Sequence, residues 1–195
     1  MKALNIAATG MHAQQMNVDV LSNNIANAQT TGFKAGAAQF ADLMYQSLKR
    51  EGAQAGDGGG ARPVGLDIGL GVEGLGVVRN HQQGSLVKQD GPLNLAIDGK
   101  GFFVVNEPGG GMAFTRDGAF QLSPEGEIVT LAGHVVDPGI AVPEDAQNIE
   151  ITEAGVVLAY VPGEAEPVEL GELTLATFVN EAGLKATGGN LYRET

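Results

Sequence analysis

Cysteine and tryptophan are absent from this 195-residue chain, and only 5% of its residues are aromatic. Without thiols there is no disulfide framework, no thiolate-zinc site and no cysteine nucleophile. No apolar run approaches the ~20 residues that a membrane-spanning helix needs. Basic side chains are few, 11 against 23 acidic, for a formal net charge of −12. A net-acidic body with no basic cluster is a poor partner for phosphate backbones, so no nucleic-acid partner is expected.

Glycine is present in excess, 30 of 195 residues, about twice the usual share. Short strands joined by glycine-dependent turns produce such a composition. With 43% hydrophobic residues, the chain is too apolar for wholesale disorder and long enough to bury a core without staples. The charge is uneven. Residues 1–50 carry four basic and two acidic side chains, and the remainder carry seven and 21. The start, Met1-Lys2 with Ala3, Leu4, Ile6, Ala7 and Ala8, faintly imitates a signal peptide. Asn5, Thr9 and His12 interrupt it, and the pattern runs on past any cleavage site, as in a helix that is kept.

Residues 3–28 repeat with a period of seven. Leu4, Met11, Val18 and Ile25 share one heptad position, and Ala7, Gln14, Leu21 and Ala28 share the position three residues later. This is a narrow coiled-coil seam rather than a broad core-facing stripe, and a lone helix carrying it needs a partner. Asn23 and Asn27 flank the seam, where amides fix register between packed helices. Gly32 can take the left-handed conformation that closes a helix, with Phe33 packing back on the last turn.

Residues 35–50 resume a helical period, with Phe40, Leu43, Met44 and Ser47/Leu48 on one side. Five glycines in residues 51–62 mark a linker or surface loop. From Pro63 onward the period becomes two. Runs such as "LNLAIDG", "GFFVVNE", "MAFTRDG", "AFQLS", "EIVTLAG", "NIEIT", "GVVLAYV" and "LTLATFVN" alternate with turn dipeptides. The expected fold class is therefore α+β. A heptad-patterned helical segment (1–50) leads through the linker (51–62) into a mainly antiparallel β-rich body (63–195), which ends without a recognisable final element.

Chemistry finds no anchor. His12, His81 and His134 lack metal-ligand spacing. Ser22, Ser47, Ser85 and Ser123 lack a nucleophile-elbow setting, and the carboxylates read as a solubilising surface. Gly69 to Gly74 fit the dinucleotide pattern G-x-G-x-x-G, with Asp90 at a suitable distance. That pattern binds pyrophosphate only at a helix N-terminus, and the continuation, Leu75-Gly76-Val77-Val78-Arg79, is strand-like. No cofactor, metal, catalytic residue or small-molecule substrate is expected. A secreted β-rich binding domain with a helical anchor stays open on the residues alone.

"LSNNIANAQTTGFK" (21–34) closely resembles the N-terminal signature of bacterial flagellar rod and hook proteins, and the heptad helix before it fits as well. "GFFVV", "FTRDGAFQLSPEGEIVTLAGHVV" and the closing "GNLYRET" resemble central segments of the same family, nearest its distal-rod branch, with a proximal rod or hook paralogue as the alternative. The resemblance implies a non-enzymatic subunit exported through the flagellar type III apparatus without a cleaved signal peptide. It would assemble with its own copies in the periplasm into a rigid tubular drive shaft. That shaft would stand between the proximal rod proteins and the hook protein and pass through the P-ring and L-ring bushings. Carried over by position, Asn23, Asn24, Ala26, Asn27, Thr30, Thr31, Gly32, Phe33 and Lys34 would be assembly residues. Family members continue past "NLYRET" into a second, C-terminal helix that pairs with the first. This sequence stops before it, which leaves the seam without that expected intrachain partner.

Overall fold

A computed structural model describes residues 1–49, 64–163 and 166–195. The glycine-rich segment 51–62 lies outside the described residues. The fold is α+β, one N-terminal helix followed by a mainly antiparallel β arrangement, in two compact units. Unit 1 comprises Met1–Asn27 and Ala35–Asn80. Unit 2 comprises Ala28–Lys34 and His81–Thr195.

In unit 1, helix α1 (Lys2–Ala26) contains no proline and a single glycine, Gly10. It ends where Asn27 folds back: its backbone N–H (3.1 Å) and its side-chain Nδ2 (2.9 Å) both donate to the Asn23 carbonyl. An asparagine that competes with the helix ladder in this way is a stop signal. Strand β1 (Gly36–Asp42) and strand β2 (Tyr45–Lys49) come next, then β3 (Leu66–Gly69) and β4 (Val72–Arg79). β1 pairs antiparallel with β4, and β2 with β3.

The helical reading of residues 35–50 is thus corrected, over the described residues 35–49, to two strands. The apolar spacing of Phe40, Leu43, Met44 and Leu48 fits a helix locally. The segment instead finds strand partners far along the chain, β1 in "VEGLGVVR" and β2 in "LDIG", and tertiary pairing overrides a weak local preference. Residues 69–74 hold the end of β3, a short break at Leu70-Gly71 and the start of β4 rather than a helix N-terminus. Gly71 has φ +123, and a Cβ there would lie 2.3 Å from Thr9 Oγ1. That hydroxyl accepts from the Val72 N–H at 3.4 Å and donates to the Ile6 carbonyl at 2.8 Å. The glycine supplies both the backbone conformation and the room for the helix.

Unit 2 is built around β5 (Phe102–Asn106), which pairs with β6 (Met112–Thr115) on one side. Phe103 and Val105 face one cluster, with Ala113, Phe120, Ile128, Val136, Ile140, Val157 and Leu173. Phe102 and Val104 face another, with Phe114 and Tyr192. Burial on both faces explains why "FFVV" is continuously apolar rather than alternating. Beyond it lie β7 (Phe120–Leu122), β8 (Ile128–Thr130) and β9 (Val135–Val136), then the sheet β10 (Asn148–Ile151), β11 (Val156–Tyr160) and β12 (Val168–Glu172). β13 (Leu175–Ala176) also pairs with β5.

Two expectations shift here. "LNLAIDG" forms only an isolated bridge, Asn94 with Ala119, because its Leu93, Leu95 and Ile97 pack on the core as an irregular cover. The closing segment does contain an element: β14 (Lys185–Gly188) and β15 (Leu191–Arg193) form a hairpin, and β15 pairs with β6.

Candidate assembly face and signature loop

The helix α1 presents two stripes. Ile6, Ala13, Met16, Val20 and Asn24 are half-buried on the face packed against β1 and β4. The heptad seam is on the other side. Leu4, Met11, Val18, Leu21 and Ile25 are between 56% and 70% exposed, and Ala7 and Gln14 are exposed as well. Covering large aliphatic side chains is worth roughly 1.5–3 kcal/mol each, so such a row on one face marks an interaction surface. Ala28, the eighth seam position, lies beyond the end of the helix in the next loop.

The asparagine cluster divides its tasks. Asn27 terminates the helix. Asn24 uses both ends of its amide on Gly36: Oδ1 accepts from the Gly36 N–H at 2.9 Å and Nδ2 donates to the Gly36 carbonyl at 2.8 Å. It thus mimics a backbone neighbour and fixes where β1 begins. Asn23 contributes its backbone carbonyl, and its side chain is exposed, as is Ala26.

Residues 28–34 belong to unit 2. Gly32 (φ +71) sits against the backbone of Arg116 and Asp117, where a Cβ would lie 2.8 Å from the Asp117 nitrogen. Phe33 donates its N–H to the Thr30 carbonyl at 3.2 Å, closing the turn. The Thr31 carbonyl accepts from Asn190 Nδ2 at 2.8 Å, and Lys34 Nζ donates to the Gln82 carbonyl at 2.8 Å. Partial burial, and next the nearby Arg116 guanidinium, pull the Lys34 ammonium below its ordinary pKa, with Glu181 opposing them. Arg116 itself donates from Nη1 to the Gly99 carbonyl (2.8 Å) and Gln83 Oε1 (3.2 Å). Its guanidinium carbon stands 5.1 Å from the centre of the Phe102 ring.

The loop forms one wall of a cavity of about 820 Å³, bounded also by 83–89, 94–97, Arg116, Gly118 and Ala119. Sequence reasoning singled out neither Arg116 nor Asn190. The available signals were a charged residue opening the Asp117-Gly118 turn and an asparagine after two glycines, the usual mark of a left-handed position. Among the described residues no group of three or more His, Asp or Glu could hold a metal ion, and no helix is long and apolar enough to cross a membrane.

Comparison with known proteins agrees with this arrangement. Residues 4–34 match the family described as flagella basal body rod protein, and residues 96–159 match the flagellar hook protein FlgE/F/G D1 domain. The flagellar basal-body rod protein FlgG of Caulobacter vibrioides is 46% identical over 195 residues, covering 100% of this chain and 74% of that protein. FlgG of Agrobacterium fabrum is 45% identical over 195 residues, with the same two coverages. FlgG of Bacillus subtilis is 35% identical over 199 residues, again 100% and 74%. The flagellar hook protein FlgE of Helicobacter mustelae is 38% identical over 152 residues, 77% of this chain but 33% of that one. With a signature loop, a seam helix and a β body that all find counterparts in these proteins, the chain belongs to the FlgG family of flagellar basal-body rod proteins and is a structural subunit of the flagellar rod.

Proposed function

We propose that the chain forms the distal part of the rod, where copies of it assemble through the α1 seam into a stiff tube that carries torque from the basal body to the hook. The observation that carries this reading is the row Leu4, Met11, Val18, Leu21 and Ile25, left exposed although the opposite stripe of the same helix is packed. A helix that packs one face on the β1–β4 pair and keeps a heptad face open is suited to packing against a neighbouring helix. The partners in this reading are further copies of the chain, the proximal rod proteins and the hook protein, the P-ring and L-ring bushings, and the type III export apparatus. The location is the periplasm-spanning rod, reached without a cleaved signal peptide. Asn23, Asn24, Ala26, Asn27 and Thr30 to Lys34 serve assembly by setting where the helix stops and how the loop after it is held.

The test is electron microscopy of basal bodies from cells whose only copy carries Leu4→Asp, Val18→Asp and Ile25→Asp. Rods ending short of the hook are expected, and complete rods on motile cells would overturn the reading.

A further inference from the structure

Charge in unit 2 is segregated. From Asp117 to Leu184 the sequence carries thirteen carboxylates and no lysine or arginine. The cavity wall has the opposite character: Lys34, Lys88 and Arg116 line it, and no Asp or Glu does so among the described residues. Leu86 and Val87 in the same wall are 55% and 79% exposed. A wall that combines exposed apolar side chains with three cations, in a chain of net charge −12, suits an acidic counterpart that carries its own apolar centre.

The sheet β10–β11–β12 has that composition. Val157 and Ala159 point into the core, so the alternate residues of β11 point outward. Across the strands Glu150 pairs with Leu158 and Leu158 with Glu169, in a single row, and Glu172 pairs with Val156. Tyr160 stands beside the row and donates its hydroxyl to Glu150 at 2.9 Å. The outer face is therefore an apolar spine of Val156, Leu158 and Tyr160 with carboxylates on both sides. An apolar centre within a charged rim is the usual anatomy of a protein interface, and complementary rims steer the encounter and fix register.

We propose that the outer face of β10–β12 in one copy docks into the Lys34–Lys88–Arg116 cavity of a neighbouring copy. This contact between β bodies rests on the reading that copies of the chain assemble with one another, and it adds a second interface to the α1 seam. Leu158 sits against Leu86 and Val87, and Glu150 and Glu169 meet the cations.

The chain contains no cysteine, so engineered thiols report on this contact without background. One size-tagged copy carries Val87→Cys and another, untagged, carries Leu158→Cys. Both are produced in the same motile cells, and isolated basal bodies are oxidised mildly. Disulfides between tagged and untagged copies should exceed those between like copies. Basal bodies that contain both copies but form no mixed dimers, or form them no more often than like dimers, overturn the docking. Absence of the unmodified chain from basal bodies overturns the rod reading instead. A second arm needs no thiol. Lys88→Glu and Glu169→Lys should each reduce completed rods per cell by about tenfold, and the double variant should restore them. Single variants without effect, or a double variant no better than either, also overturn the docking.

Discussion

The side-chain amide of Asn190 donates to the backbone carbonyl of Thr31 at 2.8 Å, joining segments 159 residues apart. Its own carbonyl accepts from Thr115 Oγ1 at 3.0 Å, and that buried hydroxyl accepts from the Asp117 N–H at 3.0 Å. The "TTGF" turn and the "GNLYRET" hairpin are thus keyed to each other through the end of β6. Asn190 also holds φ +59, which asparagine tolerates better than other residues with a side chain. Asn190→Ala loses both advantages and should destabilise the fold by about 2 kcal/mol, whereas Asn190→Gly keeps the conformation and should cost about 1 kcal/mol. Urea unfolding midpoints of the two variants rank these contributions.

Gly32 faces two restrictions at once, a left-handed backbone and a neighbouring backbone nitrogen 2.8 Å from where a Cβ would stand. Neither the nitrogen nor the adjoining carbonyl is the end of a flexible side chain. Gly32→Ala should therefore cost about 2–3 kcal/mol, seen as a lowered thermal midpoint. Gly109, with open space around it, is the control and should tolerate alanine with a far smaller change.

Asn24 satisfies the N–H and the carbonyl of Gly36 together. Asn24→Asp keeps the acceptor but sets a carboxylate oxygen against the Gly36 carbonyl. Asn24→Ala leaves both groups without their partner, for a cost of about 1–2 kcal/mol. Hydrogen exchange at the Gly36 amide should accelerate in the alanine variant. In the aspartate variant that amide should stay more protected than in the alanine variant, although the fold as a whole is weakened.

The two stripes of α1 make opposite predictions. Val18→Glu places a charge on an exposed position and should change monomer stability by no more than about 0.5 kcal/mol while abolishing motility. Val20→Glu, two residues on, enters the half-buried stripe near Gly36 and should lower the unfolding midpoint of the monomer itself. Circular dichroism melts paired with swimming assays separate the two.

Lys34 offers a pH test. Its folded-state pKa lies below the ordinary 10.5, through burial first and Arg116 second. In the window just below 10.5 the unfolded chain binds more protons than the folded one, so stability rises with pH there. Tyr160 and Tyr45, whose pKa values are raised by hydrogen bonds to Glu150 and Asp42, tilt the profile the other way. The informative quantity is the difference between parent and Lys34→Gln. The variant should lack the upward alkaline component, which a pH series of unfolding midpoints would register.

Much of this arrangement was legible in the residues. Asparagine and threonine chemistry places a helix end within 23–34, although the stop falls at Asn27 and not at Gly32, which packs on Arg116 and Asp117 instead. The strands of unit 2 follow from short apolar or alternating runs between turn dipeptides. The exposed seam follows from a seven-residue period too narrow to serve a globular core. What escaped depends on distant partners. The strand state of 36–42 is decided by "VEGLGVVR", that of 45–49 by "LDIG" and the hairpin at 185–193 by β6, and no local window contains these partners. "LNLAIDG" alternates as a strand does, yet its apolar side chains cover a core instead of joining a ladder. Within the signature, Asn23 and Asn27 stood out because they flank the seam. Asn24 makes the long-range bonds because it lies on the opposite side of the helix, facing β1.

The division of the chain into its two units has a consequence for how such bodies can be cut or exchanged. Because 28–34 belong with 81–195, a fragment starting at residue 81 would lack the plug that covers the Arg116–Asp117 backbone and would strand the Asn190 amide. Grafting this β body onto another rod protein therefore requires transplanting a seven-residue insert along with it, and a chimera joined at residue 81 alone would inherit a mismatched lock and key.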